Sequence, residues 1–255
     1  MNFMISANTD AGLIKSTNQD SMSVKVIHTC QGEMAFAIVC DGMGGLQKGE
    51  LASASVLRAF DQWVYRELPL LCEGPITDGK IREQWEKIIL EQNQMIKMYG
   101  TRQGIQLGTT VVVMLLTQKR YYLLNVGDSR AYELTTDICQ LTQDQTFVAR
   151  EVMLGNMTQE QAKQDPRRNV LLQCVGASEE VYPDLFFGSV QGNAVYMLCS
   201  DGFRHEISPQ EMYEKLQPQH LLDDDTMQKN AMDLIELNKS RKERDNISVA
   251  LIRTF

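Results

Sequence analysis

The chain has 255 residues, 43% of them hydrophobic, and a formal net charge of −8. This length suits one large domain or two small ones with a substantial core. The acidic balance speaks against non-specific binding to nucleic acid or to an anionic membrane surface. The six cysteines, Cys30, Cys40, Cys72, Cys139, Cys174 and Cys199, show no close zinc or redox spacing. Cys30, Cys40 and Cys199 sit in or beside apolar runs, so packed, reduced thiols and a cytoplasmic location are expected. The opening Met1-Asn2-Phe3-Met4-Ile5 is too short for a signal core and has no basic flank. No apolar run approaches membrane-spanning length, so no membrane association is expected.

In chain order, Phe3–Ala7, Met22–His28 and Met34–Val39 read as strands. Gly49–Leu68 reads as a helix with Val56, Leu57, Phe60 and Val64 on one stripe. Thr77–Tyr99 follows as the clearest helix, its stripe made of Ile81, Trp85, Ile88, Ile89, Met95, Ile96 and Tyr99. Val111–Thr117, Tyr121–Val126 and Arg130–Leu134 return to strands. A mixed stretch from Thr142 to Pro183 holds two short helical patterns, the second opening on the capping box Thr158-Gln159-Glu160-Gln161. Asp184–Val190 and Ala194–Ser200 read as a hairpin across Gln191-Gly192-Asn193. A second capping box, Ser208-Pro209-Gln210-Glu211, places proline at the first helical position. A helix over Asp225–Lys239 and a last strand over Ile247–Arg253 complete the chain. Strands come in consecutive groups and helices in pairs, which predicts an α+β sandwich of antiparallel sheets covered by helices rather than a doubly wound sheet. No linker stands out, so residues 1–255 are expected to form one domain.

Four acids stand at strand termini. Phe36–Cys40 runs into Asp41-Gly42, Val195–Ser200 into Asp201-Gly202, Tyr121–Val126 into Gly127-Asp128, and Asp245-Asn246 precedes Ile247–Ile252. Strands that deliver carboxylates at one end can gather them, and such a cluster needs a cation to offset its repulsion. Oxygen donors select magnesium or manganese over zinc. Each motif alone is also an ordinary turn, with Gly42 or Gly127 supplying the bend; their joint order carries the argument. Asp41-Gly42-Met43-Gly44-Gly45 lacks the Gly-Lys-Ser/Thr ending of a Walker loop.

Asn18-Gln19-Asp20, Val39-Cys40-Asp41-Gly42-Met43-Gly44-Gly45, Gly108-Thr109-Thr110, Val126-Gly127-Asp128-Ser129-Arg130, Leu141-Thr142-Gln143-Asp144, Ser200-Asp201-Gly202 and Arg244-Asp245-Asn246-Ile247-Ser248 occur in one ordered series across the chain. In this series the chain resembles the metal-dependent Ser/Thr protein phosphatases, the protein phosphatase 2C-like family, in their compact bacterial form. The resemblance implies a four-layer αββα sandwich with a Mn2+ or Mg2+ site at one end. Asp41 would bridge two ions, the Gly42 carbonyl would complete one, and Asp201 and Asp245 would hold the other. Asp20 would ligate an ion or order its waters. Asp128, with Asp201, resembles a third-metal site, and residues 145–183 correspond to a flap beside the active site. A water between the two ions would attack the phosphorus of phosphoserine or phosphothreonine directly, without a phosphoenzyme. The implied partners are Ser/Thr-phosphorylated proteins, including a cognate Ser/Thr kinase, and a monomer is expected.

The chain departs from that family in several places. Lys15 stands where a phosphate-holding Arg is usual, and it offers charge without Arg's bidentate fork. Gln19 replaces a frequent acid, Leu46 and Gln145 replace two histidines, and Met43 takes the place of a histidine proposed as general acid. His205, three residues beyond Gly202, could reach the site, although a surface or structural role is the default for it and for His28 and His220. A fold that binds phosphoproteins with little or no turnover is the alternative. A metal-dependent nuclease is disfavoured by the acidic charge and the absence of a basic-aromatic groove.

Overall fold

The computed structural model describes residues 1–43 and 48–255. Three strands open the chain: β1 (Phe3–Asp10), β2 (Ser21–Thr29) and β3 (Gly32–Cys40). Helices α1 (Gly49–Arg66), α2 (Leu68–Leu71) and α3 (Asp78–Gln103) follow. Next come β4 (Val111–Leu116), β5 (Arg120–Val126), β6 (Arg130–Leu134), β7 (Ile138–Gln140), and the short helices α4 (Phe147–Met153) and α5 (Gln159–Gln164). The chain continues through β8 (Asp184–Ser189), β9 (Val195–Cys199), α6 (Asp201–Arg204), α7 (Pro209–Leu216), α8 (Asp224–Ser240) and β10 (Ile247–Thr254).

The strands form two five-stranded sheets, ordered β1-β10-β9-β6-β7 and β2-β3-β4-β5-β8, with antiparallel pairing throughout. Alternation along the strands explains the layering. In β3 and β4, Phe36, Ile38, Cys40, Val111, Val113 and Leu115 face α1–α3. Their neighbours Ala35, Ala37, Val39, Val112, Met114 and Leu116 face the other sheet. In β9 and β10, Val195, Met197, Cys199, Val249 and Leu251 turn to α6–α8, while Tyr196, Leu198, Ala250 and Ile252 close the space between sheets. The central strands are therefore covered on both faces, which is why they read as unbroken apolar runs. Small side chains, Ala35, Ala37, Ala131 and Ala250, let the two sheets approach. The result is the expected αββα sandwich.

Both capping boxes are present, Thr158 with Gln161 and Ser208 with Glu211, the latter with Pro209 in the first turn. The buried stripe of α3 runs through Ile81, Trp85, Ile89, Gln92, Asn93, Ile96 and Gly100. Met95 and Tyr99 lie on its exposed side instead, because the packed row advances by four residues from Gln92 to Ile96 to Gly100. Trp85 packs edge-on against Phe60 and Trp63 of α1, with ring centroids 5.9 and 5.5 Å away.

The expected β8–β9 hairpin does not form. β8 pairs with β5 in one sheet and β9 with β10 and β6 in the other, so Gln191-Gly192-Asn193 is a crossover between sheets. Asn193 turns the chain at φ 56°, and the Gln191 N–H donates to the Tyr196 hydroxyl at 2.9 Å. All six thiols are free. Cys40 and Cys199 are packed as expected, whereas Cys30 is exposed in the β2–β3 turn. No described helix is long and apolar enough to cross a membrane.

Candidate active site

The acids converge at one end of the sandwich because β3, β5, β9 and β10 place their termini there. Asp41 leaves β3 and is held by its backbone. Its N–H donates to Thr110 Oγ1 at 3.3 Å, and its carbonyl accepts from Thr110 N at 2.9 Å and Thr109 Oγ1 at 2.8 Å. Thr110 Oγ1 in turn lies 2.7 Å from Ser129 Oγ. The Gly108-Thr109-Thr110 motif is thus a clamp on the Asp41 backbone that leaves its carboxylate free of it. Gly44, Gly45 and Leu46 lie outside the described residues.

Two glycines permit the convergence. A Cβ on Gly42 would stand 2.4 Å from the Gln19 carbonyl, and one on Gly202 would stand 2.2 Å from that of Asn246. No side chain fits either contact. Gly42 therefore lets the loop carrying Asp20 reach Asp41, and Gly202 lets Asp201 lie against the Asp245-Asn246 turn. Asn246 binds the loops together: its Oδ1 accepts from Gln19 N at 2.9 Å, and its Nδ2 donates to the Ala11 and Thr17 carbonyls. Ser248 Oγ donates to Asp20 Oδ2 at 2.6 Å, and Ser248 N donates to Ser200 Oγ at 3.0 Å.

The electrostatics are those of a site short of positive charge. Burial pushes the Asp41 carboxyl far above the usual range, and the charges of Asp20, Asp201, Asp128 and Asp245 add to the rise. Asp20 is pushed up to about 7, by burial first, with Asp201 and Asp245 adding to it against the Ser248 hydrogen bond. Two carboxylate oxygens, Asp20 Oδ1 and Asp201 Oδ1, are buried with no hydrogen-bond partner among the described residues. Orphaned acceptors beside mutually repelling carboxylates match a divalent cation with oxygen ligands. Among the described residues no three acidic, His or Cys side chains form a closed ligand cage. Asp245 Oδ1 is paired with Lys15 Nζ at 3.1 Å, and Asp20 Oδ2 accepts from Ser248 Oγ. Lys15 is thereby placed at the site, with its side chain 27% exposed.

Asp128 has a different environment. Gln145 fixes its turn: Gly127 N donates to Gln145 Oε1 at 2.7 Å, and Gln145 N donates to the Gly127 carbonyl at 3.0 Å. Asp128 Oδ2 lies 3.3 Å from Arg204 Nη2. Burial and the Asp201 charge push Asp128 up to about 6 against the opposing pull of Arg204.

His205 reaches the site in a structural role, the default expected for it, and sequence reasoning missed Glu243. His205 Nε2 is 3.4 Å from Asp201 Oδ2, and its Nδ1 is 3.4 Å from Glu243 Oε2. Glu243 Oε1 accepts from Arg244 N at 2.6 Å and Asp245 N at 2.8 Å. The pair is a strut between the Asp201 and Asp245 loops. Burial disfavours the His205 charge, but Glu243 and Asp201 outweigh it and raise its pKa above the ordinary value. The position of His205, one helical turn past Asp201, was the available signal. Glu243 carried none, because its role comes from backbone groups that the fold brings to it.

The family model described as "Protein phosphatase 2C" matches residues 14–233. The chain is 32% identical over 248 residues to the serine/threonine phosphatase stp of Listeria innocua, covering 96% of this chain and 93% of that protein. Its fold superimposes on the serine/threonine phosphatase Stp1 from Staphylococcus aureus with a TM-score of 0.84 at 26% identity, covering 100% of this chain and 96% of that one. A structure of the catalytic domain of the phosphatase PstP, in complex with two manganese ions, gives 0.78 at 27% identity over 98% of this chain and 97% of that one. The chain belongs to the protein phosphatase 2C family and is a protein serine/threonine phosphatase of the compact bacterial type.

Proposed function

We propose that the chain hydrolyses phosphoserine and phosphothreonine in proteins using two Mn2+ or Mg2+ ions held by Asp20, Asp41, Asp201, Asp245 and the Gly42 carbonyl. The observation that carries this reading is the convergence of the acids on the unpartnered oxygens Asp20 Oδ1 and Asp201 Oδ1. When bound, the ion pair supplies a water of lowered proton affinity and neutralises charge on the phosphoryl oxygens.

The chain's own groups do the rest. Lys15, at the rim beside Asp245, holds the substrate phosphate as a point charge. Met43 carries no transferable proton, so the leaving oxygen takes its proton from solvent in the site. A cysteine nucleophile is disfavoured at the nearest thiols. Burial raises Cys40 well above its usual value, with Asp20 and Asp41 adding to it, and pushes Cys199 up to about 12. The segment 145–183, carrying α4 and α5, is the flap. It is anchored by the Thr109–Val175 bridge and by Leu172 N donating to the Gln145 carbonyl at 2.8 Å. It exposes Met153, Leu154, Val170 and Leu172, a surface suited to the residues flanking a phosphoserine. Phosphorylated proteins, a partner kinase among them, are the substrates, and the enzyme works as a cytoplasmic monomer.

The test is phosphate release from a phosphothreonine peptide with added Mn2+, after chelation, and in Asp201→Asn. Activity should require the metal and fall on the order of a thousandfold or more in the variant. Turnover that survives exhaustive chelation, or Asp201→Asn equal to wild type, would overturn the reading.

A further inference from the structure

Asp128 differs from Asp20 and Asp41 in having an arginine of the chain set against it. Arg204 Nη2 donates to the Asp128 backbone carbonyl at 2.8 Å and reaches its Oδ2 at 3.3 Å. The same nitrogen lies 3.8 Å from Asp144 Oδ2. Arg130 holds Asp144 by two parallel hydrogen bonds of 2.7 Å. These four side chains alternate in sign, Asp128–Arg204–Asp144–Arg130, and their formal charges cancel.

Arg204 is also fixed in place. Its side chain is 11% exposed, it ends the short helix that begins at Asp201, and one of its bonds is to backbone, which a competing ion does not titrate away. Lys15 on Asp245 is the opposite case: an ammonium 27% exposed, with a single ion pair among the described residues. A guanidinium keeps its charge at every accessible pH. A divalent ion bridging Asp128 and Asp201 would have to sit beside that charge in a poorly screened interior, where like charges repel strongly.

We propose that Arg204 is the permanent counter-cation of Asp128, so that Asp128 and Asp201 do not bind a third divalent ion and the site takes two. Asp128 is then a structural anchor for the α6 end of the site rather than a metal ligand. This inference rests on the two-ion reading above and adds a limit to it.

Mn2+ binding to the full chain, followed by equilibrium dialysis and the electron paramagnetic resonance of free Mn2+, tests it without an activity assay. Wild type and Asp128→Asn should bind the same two ions up to millimolar metal. Arg204→Gln should gain a third ion, bound at least about tenfold more tightly than any further ion in wild type, and Asp128→Asn in that background should remove it. Arg204→Lys, which keeps the charge, should not gain it. A third ion in wild type that Asp128→Asn removes would overturn the proposal, and this comparison does not depend on whether Arg204→Gln folds. A folded Arg204→Gln that binds only two ions would overturn it as well. Failure of the two-ion reading has its own signature: wild type would bind no Mn2+, or its binding would survive Asp41→Asn.

Discussion

Two groups of buried acids lie side by side and are handled in opposite ways. Asp20, Asp41 and Asp201 crowd together with no arginine or lysine bonded to them among the described residues, and the carboxyls of Asp20 and Asp41 rise above their usual range. Asp144, equally enclosed, is pushed up by burial, but the hydrogen bonds from Arg130 and the charges of Arg204 and Arg130 outweigh this and hold it below the usual range. The first arrangement costs stability unless an external cation arrives, and the second is self-sufficient. A buried carboxylate is thus not in itself a ligand; what separates function from scaffold is whether the chain supplies the opposing charge. Asp128 stands on the border, facing Asp201 on one side and Arg204 on the other.

The sharpest way to break this contrast is to remove a cation from the self-sufficient group. Arg130→Ala leaves Asp144 with the neutral Gln140 amide at 3.3 Å and the more distant Arg204, and removing one partner of a buried pair costs about 3–5 kcal/mol. Denaturant unfolding should show that loss with Mn2+ present or absent. A loss under about 1 kcal/mol would mean that the pair is solvent-screened like a surface bridge.

The two groups should also respond oppositely to pH in chelator. Asp20 has a folded pKa of about 7, above the unfolded value near 4. Its contribution is therefore fully present below about pH 4 and lost as pH rises through 7. Asp144 has a lowered folded pKa, so its contribution is present above about pH 4 and lost as pH falls through the folded value. Between pH 5 and 8, metal-free protein should lose about 5 °C or more in Tm, and Mn2+ should abolish that slope. A flat profile in chelator would refute the claim that the Asp41 group is destabilising by itself.

Much of this was legible in the sequence. Asp41 and Asp201 stood out because each ends an apolar run of strand length, Asp245 because it stands just before one, and the β-sandwich followed from grouped strands. What sequence could not supply was pairing across distance. Gln191-Gly192-Asn193 has good hairpin chemistry, yet β8 pairs with β5 and β9 with β10 and β6 in different sheets. Arg204 meets Asp128 from 76 residues away, so no spacing rule reveals that a motif acid has a private counter-ion. β7, three residues long, is too short to show a period.

A smaller effect is expected at the rim. Lys15→Ala removes one charge-assisted contact to the substrate phosphate, worth about 1.5–3 kcal/mol, or about one to two powers of ten in kcat/KM. The loss should fall mainly on KM. Because Lys15 also neutralises Asp245 at 3.1 Å, the variant should bind Mn2+ no less tightly than wild type. Unchanged kinetics on both a small phosphoester and a phosphopeptide would remove Lys15 from the site.

The finest test concerns the strut formed by His205 and Glu243. His205 bonds no ion in this reading; it fixes where Asp201 points and, through Glu243, where the Asp245 backbone sits. Partners of this kind typically alter metal affinity 10–100-fold when removed, and the partial exposure of His205 places it at the low end of that range. His205→Ala should weaken Mn2+ binding about tenfold, with kcat largely restored at saturating metal. His205→Gln, which can still bond to Glu243, should recover most of the affinity. A residue that merely filled space would be rescued as well by Leu as by Gln. Equal Mn2+ affinity in His205→Leu and His205→Gln would therefore reduce the strut to packing, and leave the Asp201 and Asp245 loops held by Gly202, Asn246 and Ser248 alone.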